Sequence, residues 1–470
     1  LRYINVSTDD KLDSAKRQPW MVMLFIKWVM LDDRYPNNQG KVASYNDVKK
    51  ILQLMYGGVV DNLRMPNEYE HHALFFRNLA FQQFPYQTNF SYSHLSRQSI
   101  LFSSLDKNHY IYKQFASLTG IDIQDFLDLS LMTLAYFFEG NKKPLTKSYF
   151  SSVKKKYSED KVNNFLLIIS KDVNQIREIL RSRDKGIRRA SENYETTPFI
   201  DFPLIKNTSD RYILTHKNLL FRCLEHFVYD TMRCIDAEKF MHKFGKLFEQ
   251  YVEQSFLYSE VVFLNEEDIK NKLGQQGKQI DFLIQEEGAN IFVDAKAVEM
   301  NSEGKTTYSP KILLDKTKKS ILKAVQQSHD VIKKIADNDK SEIKSSSKNY
   351  LLVVTFKDLY LGNGRDYYDI IAKNRMDAIY SKYKGYSCIL PKNIYFITID
   401  ELDILVGILK QKTFSLTKIL DIAIQNDNNS TTKKFHFSQH LQTLKSNFET
   451  PVFLEVEKDK ILKQISEAFK

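Results

Sequence analysis

The sequence predicts a mixed α/β protein in which a helical N-terminal part precedes a part that combines strands with helices. Apolar residues recur at helical spacing up to about residue 200, and short apolar runs alternate with helical segments after residue 238. A chain of 470 residues with 43% hydrophobic side chains is long enough for two or three cores. We therefore expect four regions: an all-helical domain for recognition or assembly at 1–197, a hairpin–helix connector at 198–236, an α/β domain with a mixed central sheet flanked by helices at 237–425, and a flexible segment with a C-terminal helix at 426–470.

The elements of these regions follow from apolar spacing and from turn residues. Helices are expected at 47–56, 69–84 and 122–139, with Asp122 as the N-cap of the last, and two more within 161–190. The connector is expected to contain a hairpin at 202–214 and a helix at 217–234. The later elements are expected to be helices at 238–257, 312–336, 400–412 and 456–469, and strands at 259–264, 279–285, 290–297, 350–356 and 394–399.

Charge and cysteine content narrow the class of protein. The formal net charge is +10, which favours polyanionic partners only weakly in a protein of this size. The densest basic cluster is a solvated helix face or, alternatively, a phosphate-contacting surface; it consists of Lys171, Arg177, Arg181, Arg183, Lys185, Arg188 and Arg189. Three widely spaced cysteines indicate neither a disulfide framework nor a zinc ribbon, and they favour a reducing, cytoplasmic compartment. The apolar run at 20–26 is too short for a membrane span.

The segment from Lys278 to Lys296 carries the chemistry. Two apolar strands flank a turn that contains Gly288, so an antiparallel hairpin is expected. If residues 286–289 form the loop, Asp281 stands opposite Asp294, and Lys296 shares the face of Asp294. The structural alternative is a surface hairpin with a cross-strand Asp–Lys pair. The bulky apolar neighbours disfavour it, because strands buried on both faces seldom carry charges without a function.

Two facing carboxylates repel each other unless a cation lies between them. Oxygen ligands favour Mg²⁺ or Mn²⁺ over zinc, and the backbone carbonyl of Ala295 is a candidate third ligand beside Asp281 and Asp294. Such a metal polarises a phosphoryl oxygen and lowers the pKa of a bound water. Lys296 would orient the attacking hydroxide or stabilise the charge that develops on the phosphate. The residues therefore predict hydrolysis of phosphodiester bonds.

Asp281 followed by Asp294-Ala295-Lys296 resembles the signature of the PD-(D/E)xK nuclease superfamily, which has the restriction-endonuclease-like fold. Residues 244–253 are similar to the helix that bears a glutamate in that superfamily, and the resemblance implies Glu249 as a catalytic group and metal ligand, with Glu253 as the alternative. It covers roughly residues 238–410 and makes 237–425 the nuclease domain. One departure is Ile280, which stands where many members have proline.

The resemblance implies a Mg²⁺-dependent endonuclease that cuts DNA, acting in restriction or anti-phage defence, as a homodimer or with a partner defence protein. Two alternatives stay open. One is a nucleic-acid-binding or assembly protein with an inactive nuclease fold, and the other is an RNA-cleaving nuclease of the same fold. Three residues on the predicted helix at 312–336 are candidates to face the substrate, although each is also an ordinary surface type: Lys319, Lys323 and Gln327.

Overall fold

A computed structural model describes twelve parts of the chain: 18–32, 42–62, 72–87, 90–138, 143–184, 192, 194–208, 210–274, 279–286, 288–338, 341–444 and 449–469. The protein is mixed α/β, as predicted, with one sheet of four strands and one of five. The described residues form two compact units. Unit 1 runs up to Met232 and includes the residues from Glu457 onward, and unit 2 runs from Arg233 to Val456.

Unit 1 is rich in helices but also contains a sheet. Its helices, with α9 and α20 continuing into unit 2, are α1 (Pro19–Leu31), α2 (Tyr45–Asn62), α3 (His72–Gln83), α4 (Tyr92–Gln98), α5 (Tyr110–Thr119), α6 (Ile123–Phe138), α7 (Glu159–Ile169), α8 (Val173–Arg183), α9 (Lys217–Ile235) and α20 (Val452–Ala468). Its strands are β1 (Leu145–Thr146), β2 (Ser170–Asp172), β3 (Leu204–Thr208) and β4 (Arg211–Leu214), in the order β1-β4-β3-β2.

This sheet corrects the prediction that residues 1–197 are all-helical. β1 and β2 lie inside that range, and they pair with β4 and β3, respectively, of the predicted hairpin. Strands of two and three residues are too short to show alternation, and both partners lie later in the chain. Their pairing is therefore a long-range property that local spacing does not reveal.

The basic cluster in this unit is not one continuous cationic surface. Arg177 is only 5% exposed and donates a hydrogen bond to the backbone carbonyl of Asp32 at 3.1 Å. Arg183 forms an ion pair with Asp201 at 2.8 Å. The predicted phosphate-contacting face is therefore wrong for Arg177, whose guanidinium has a structural partner. Three other members lie outside the described residues: Lys185, Arg188 and Arg189.

Unit 2 is built around the five-stranded sheet. Its strands are β5 (Phe263–Asn265), β6 (Phe282–Glu286), β7 (Ala289–Lys296), β8 (Lys348–Thr355) and β9 (Ile394–Thr398), in the order β5-β6-β7-β8-β9. The pairs β5–β6 and β6–β7 are antiparallel, whereas β7–β8 and β8–β9 are parallel. β7 and β8 are buried along nearly their whole length, as expected for parallel strands covered on both faces.

The helices of unit 2 are α10 (Ala237–Ser259), α11 (Glu266–Leu273), α12 (Ser302–Thr306), α13 (Pro310–Thr317), α14 (Ile321–Ala336), α15 (Gly364–Asp366), α16 (Lys373–Lys382), α17 (Ile399–Lys410), α18 (Leu416–Asp427) and α19 (Phe437–Thr443). The helix expected at 312–336 is in fact two helices, α13 and α14, which are separated at residues 318–320. Among the described residues, no helix has both the length and the apolar character needed to cross a membrane.

Aromatic packing fixes α10 against the end of β8. Phe240, Phe244 and Phe248 stack along one face of the helix, with successive ring centroids 5.4 and 6.0 Å apart. Phe356, immediately after β8, meets Phe244 at 4.9 Å and Phe248 at 6.0 Å, both edge to face. All four rings are buried, and aromatic pairs of this kind stabilise contacts beyond the area they bury. This packing holds Glu249, the residue after Phe248, near the carboxyl ends of the central strands.

Candidate active site

The hairpin formed by β6 and β7 has the predicted register. Phe282 pairs with Val293, and the ladder continues to Glu286 opposite Ala289. The loop is shorter than expected, because residues 286 and 289 already pair. The register is unchanged, since the ladder lengthens equally on both strands. Asp281 lies one residue before the first pair, so one more step of the same register sets it opposite Asp294, as predicted.

Asp281 and Asp294 come together at the end of this hairpin. Oδ2 of Asp281 accepts a hydrogen bond from the backbone N–H of Ala295 at 2.7 Å, which holds the carboxyl beside β7. Burial raises the pKa of Asp281 well above its ordinary value, and the neighbouring carboxylate of Asp294 raises it further. Asp281 therefore shares this end of the hairpin with a second carboxyl group that disfavours its ionisation.

Asp294 is fully buried, with no exposed side-chain surface. Its Oδ2 lies 2.6 Å from Nζ of Lys296, whose side chain is 19% exposed. Within the described part of the chain, no hydrogen-bond donor reaches Oδ1 of Asp294. A buried carboxylate oxygen that lacks a donor is costly, and such atoms are common where a ligand or ion completes the site.

Lys296 keeps its positive charge in this setting. Burial by itself lowers the pKa of the ammonium group, but the carboxylates of Asp294, Asp281 and Glu249 outweigh burial and raise that pKa above its ordinary value. Lys296 in turn lowers the pKa of Asp281, but burial and Asp294 outweigh this effect. Lys296 is the last residue of β7, so its side chain stands at the carboxyl edge of the sheet.

Glu249 on α10 belongs to the same group of charges. Burial raises its pKa to about 7, and the carboxylate of Asp281 adds to this effect, while Lys296 opposes it. Glu253, the alternative, instead accepts a hydrogen bond from Nδ2 of Asn265 at 3.4 Å. The structure thus brings Glu249 into electrostatic contact with Asp281 and Lys296, and it gives Glu253 a partner next to α11.

The residues present fit an oxygen-coordinated divalent cation. Asp281 and Asp294 supply facing carboxylates, Oδ1 of Asp294 has no donor among the described residues, and Glu249 lies close enough for its charge to act on them. Such hard oxygen donors suit Mg²⁺ or Mn²⁺. The carbonyl of Ala295 as a further ligand stays a prediction.

Gln327, one of the three residues predicted to face the substrate or to be ordinary surface residues, is instead buried near the hairpin. Gln327 on α14 is 8% exposed, and its Nε2 donates to the backbone carbonyl of Gln279 at 2.8 Å, two residues before Asp281. This bond fixes the approach of the chain to the site, so Gln327 is a buried positioning residue. Lys319 is exposed and Lys323 half-buried. A lone glutamine on an amphipathic helix gives no sequence signal that separates these roles.

Comparisons with protein-family models, with curated proteins and with solved structures found no match to this chain. A function for it therefore has to be inferred from the side chains gathered around Asp294.

Proposed function

We propose that this protein is a metal-dependent endonuclease that uses Mg²⁺ or Mn²⁺ to hydrolyse the phosphodiester bonds of DNA. One observation carries the proposal: the carboxyl groups of Asp281 and the fully buried Asp294 lie together at the end of the β6–β7 hairpin, with the ammonium group of Lys296 2.6 Å from Asp294. A fold tolerates this concentration of buried charge poorly unless the charges have a task.

The metal would be held by Asp281 and Asp294, with Glu249 either as a third ligand or as the group that accepts a proton from the attacking water. When bound, it would polarise a phosphoryl oxygen and make a bound water more acidic. Because both carboxyl groups of the hairpin are positioned before any substrate arrives, little reorganisation is needed at the moment of reaction. Asp281 is additionally fixed by the N–H of Ala295, which limits the orientations of its carboxyl group.

Lys296 and Glu249 can supply two further functions, stabilisation of negative charge and proton transfer. Lys296 is held in its cationic form by three carboxylates, and it can donate hydrogen bonds to a phosphate oxygen as negative charge develops there. Glu249, whose pKa is about 7, can accept a proton near neutral pH. A group with its pKa close to the working pH is well matched to proton transfer from an attacking water.

The order of elements supports the resemblance to the PD-(D/E)xK superfamily. A helix bearing Glu249 precedes the antiparallel β6–β7 hairpin, and α14 then leads to β8, which is parallel to β7. The net charge of +10 is in keeping with a polyanionic substrate. DNA is preferred over RNA because the sequence has no aromatic RNA-binding signature. A role in restriction or anti-phage defence in the cytoplasm, as a homodimer or with a partner protein, extends the proposal on the basis of this resemblance.

The test is a cleavage assay with the full chain on duplex DNA, single-stranded DNA and RNA, in Mg²⁺, in Mn²⁺ and in EDTA. We expect metal-dependent cutting of DNA, and loss of cutting in Asp281→Ala, Asp294→Ala and Lys296→Ala. Asp128→Asn is the matched control, because Asp128 is also fully buried and pairs with a lysine, Lys156, at 3.1 Å. It should lower stability and leave cutting unchanged.

Each other outcome has a distinct meaning. If the three alanine variants cut as well as the wild type, the assigned centre is wrong. Cleavage of RNA alone would overturn the choice of substrate. Binding of DNA that persists in EDTA, with no cleavage in either metal, would replace the enzyme by a nucleic-acid-binding or assembly protein of the same fold.

A further inference from the structure

A pocket lies at the carboxyl ends of β8 and β9, on the same edge of the sheet as the candidate active site; it is here called the β8–β9 pocket. Thr355, the last residue of β8, and Thr398, the last residue of β9, both line it. Thr355 is also the register partner of Lys296, the last residue of β7. Because adjacent strands are spaced about 4.7–4.9 Å apart, the pocket begins one strand away from the lysine of the reaction centre.

Aromatic rings form part of the wall of the β8–β9 pocket. The pocket encloses about 480 Å³, including the solvent at its mouth, a size typical of small-ligand sites. Tyr360 and Phe435 line it as half-buried rings, nearly parallel at 15°, with their centroids 6.2 Å apart. Exposed ring faces of this kind bind flat heteroaromatic groups by stacking, and nucleobases stack on them whatever their identity.

The more deeply buried lining of the pocket is polar. The side chain of His440 is only 3% exposed, and its Nε2 lies 3.2 Å from Oδ1 of Asp427. Within the described parts of the chain, Nδ1 of the same ring has no hydrogen-bond partner. Buried polar atoms are normally hydrogen-bonded, so this nitrogen is suited to a ligand that has hydrogen-bonding groups at its edge.

Carboxyl groups make the pocket a poor site for a phosphate. Among the described residues that line it, three carry a carboxyl group, whereas one, Lys434, is a lysine. Asp358 lies 3.2 Å from Nδ1 of His436, and Asp427 is paired with the histidine described above. Burial raises the pKa of the third carboxyl group, that of Glu401, to about 7, so it is partly uncharged near neutral pH. An uncharged ligand fits these surroundings better than an anion, which the carboxylates would repel.

We propose that the β8–β9 pocket binds one nucleobase of the DNA strand, turned out of the double helix and stacked on Phe435. This inference rests on the proposed nuclease function and extends it from the backbone to a base. A base is flat and uncharged, and its edge carries donors and acceptors that can meet His440. Turning a base out costs the free energy of its stacking and pairing, and that cost is smallest where the base is already unpaired.

The test compares two DNA duplexes that differ by one unpaired base. The protein carries Asp294→Ala, and fluorescent 20-base-pair duplexes, one fully paired and one with a central single-adenine bulge, are titrated in EDTA at one salt concentration. The bulged duplex should bind about tenfold more tightly, because its extra base can stack in the pocket without first being unpaired.

Variants of Phe435 separate stacking from other effects of a bulge, such as easier bending. Since paired DNA can bind through its backbone alone, Phe435→Leu should weaken binding of the bulged duplex about tenfold and bring the two affinities together. Phe435→Trp keeps a stacking face and should keep the preference for the bulge.

The matched control is Tyr386→Leu. Tyr386 is another half-buried ring of unit 2, with Nζ of Lys333 4.9 Å from its centroid. Lys333 is in the last turn of α14, which leads back to the amino end of β8, so this ring lies away from the pocket. Tyr386→Leu should bind both duplexes as the parent protein does.

Three results would overturn the base pocket while leaving the nuclease proposal standing. They are equal affinities of the parent protein for the two duplexes, an unchanged preference in Phe435→Leu, and a preference lost equally in Phe435→Leu and Phe435→Trp. If the parent protein bound neither duplex and the wild type cut no DNA, both proposals would be overturned.

Discussion

At the scale of single residues, the feature that matters is a charge arrangement that burial makes costly. Asp294 has no exposed surface, and its carboxylate is opposed by that of Asp281 and supported by Lys296. Functional sites often retain such costs because activity requires them. Stability and activity should therefore respond to the same substitution in opposite directions.

Asp294→Asn tests this expectation. The variant relieves the repulsion with Asp281 and leaves Lys296 a carboxylate to pair with, so its melting temperature should equal or exceed that of the wild type. Cleavage should fall roughly hundredfold or more, the usual cost of losing one preorganised charge at a reaction centre. Thermal denaturation and initial cleavage rates, measured on the same preparation, check both statements. A loss of stability that parallels the loss of activity would indicate a structural role.

Glu249 predicts the pH dependence of cleavage. Its pKa is about 7, so the carboxylate needed to hold a metal or accept a proton becomes populated as the pH rises from 6 to 8. Cleavage should rise over that interval. Because this pKa lies above the ordinary 4.5, the stabilising contribution of the protonated group is complete below pH 4.5 and is lost as the pH rises through 7.

In Glu249→Gln, the residual cleavage rate should no longer rise between pH 6 and 8, and the stability should no longer fall over the same interval. Glu253→Gln, one turn further along α10, is the control, and it should leave the shape of the cleavage profile unchanged. An unaltered rise between pH 6 and 8 in Glu249→Gln would show that another group titrates.

At the scale of elements, the hairpin depends on its tight turn. Gly288 has a φ of +75°, a conformation that L residues adopt at a cost, and a Cβ built there would meet nothing within 4 Å. Gly288→Ala should thus lower the free energy of unfolding by about 1 kcal/mol through backbone strain alone. Gly245 in α10 also has open space around it but lies in a helix interior.

Gly245→Ala is accordingly the opposite case and should stabilise the protein by up to about 1 kcal/mol. Denaturant unfolding of the two variants beside the wild type gives the comparison. An unchanged free energy of unfolding in Gly288→Ala would show that the turn can adopt another conformation without loss of stability.

The elements also show which parts of the site the sequence could predict. The register of Asp281 and Asp294 was predictable because the two residues belong to one hairpin, whose pairing depends on a short connection. Glu249 was not accessible to such local geometry, and only the resemblance implied it. The ion pairs of Glu299 with Arg233 and Lys357 could not be predicted, since folding brings these residues together across 66 and 58 positions of the chain.

At the scale of the whole molecule, the mixed α/β class was predictable, whereas the all-helical character of residues 1–197 was wrong. Long periodic segments such as α6 give a clear helical signal, while β1 and β2 are too short to give any signal of their own. The division of the chain into two compact units likewise depends on contacts between distant residues, with the last residues of the chain joining unit 1.

The net charge predicts how the complete protein responds to salt. With a charge of +10, its affinity for DNA should fall at least tenfold between 50 and 200 mM salt, because cations released from the backbone drive association. The measurement is a titration of duplex DNA with the Asp294→Ala protein in EDTA. Affinity that does not vary with salt would argue against contacts with the phosphate backbone.

The central place of β7 in its sheet has a consequence for how this protein can diversify. β7 is hydrogen-bonded on both sides, to β6 and to β8, so a shift by one residue would have to break two ladders together. Asp294 and Lys296 are therefore poor places for gradual change. The segments 297–309 and 357–363, which follow the carboxyl ends of β7 and β8, can change in length and composition without disturbing either ladder. Relatives that act on different targets should differ chiefly there, and swapping these two segments between relatives should transfer target preference while the cutting chemistry is inherited unchanged.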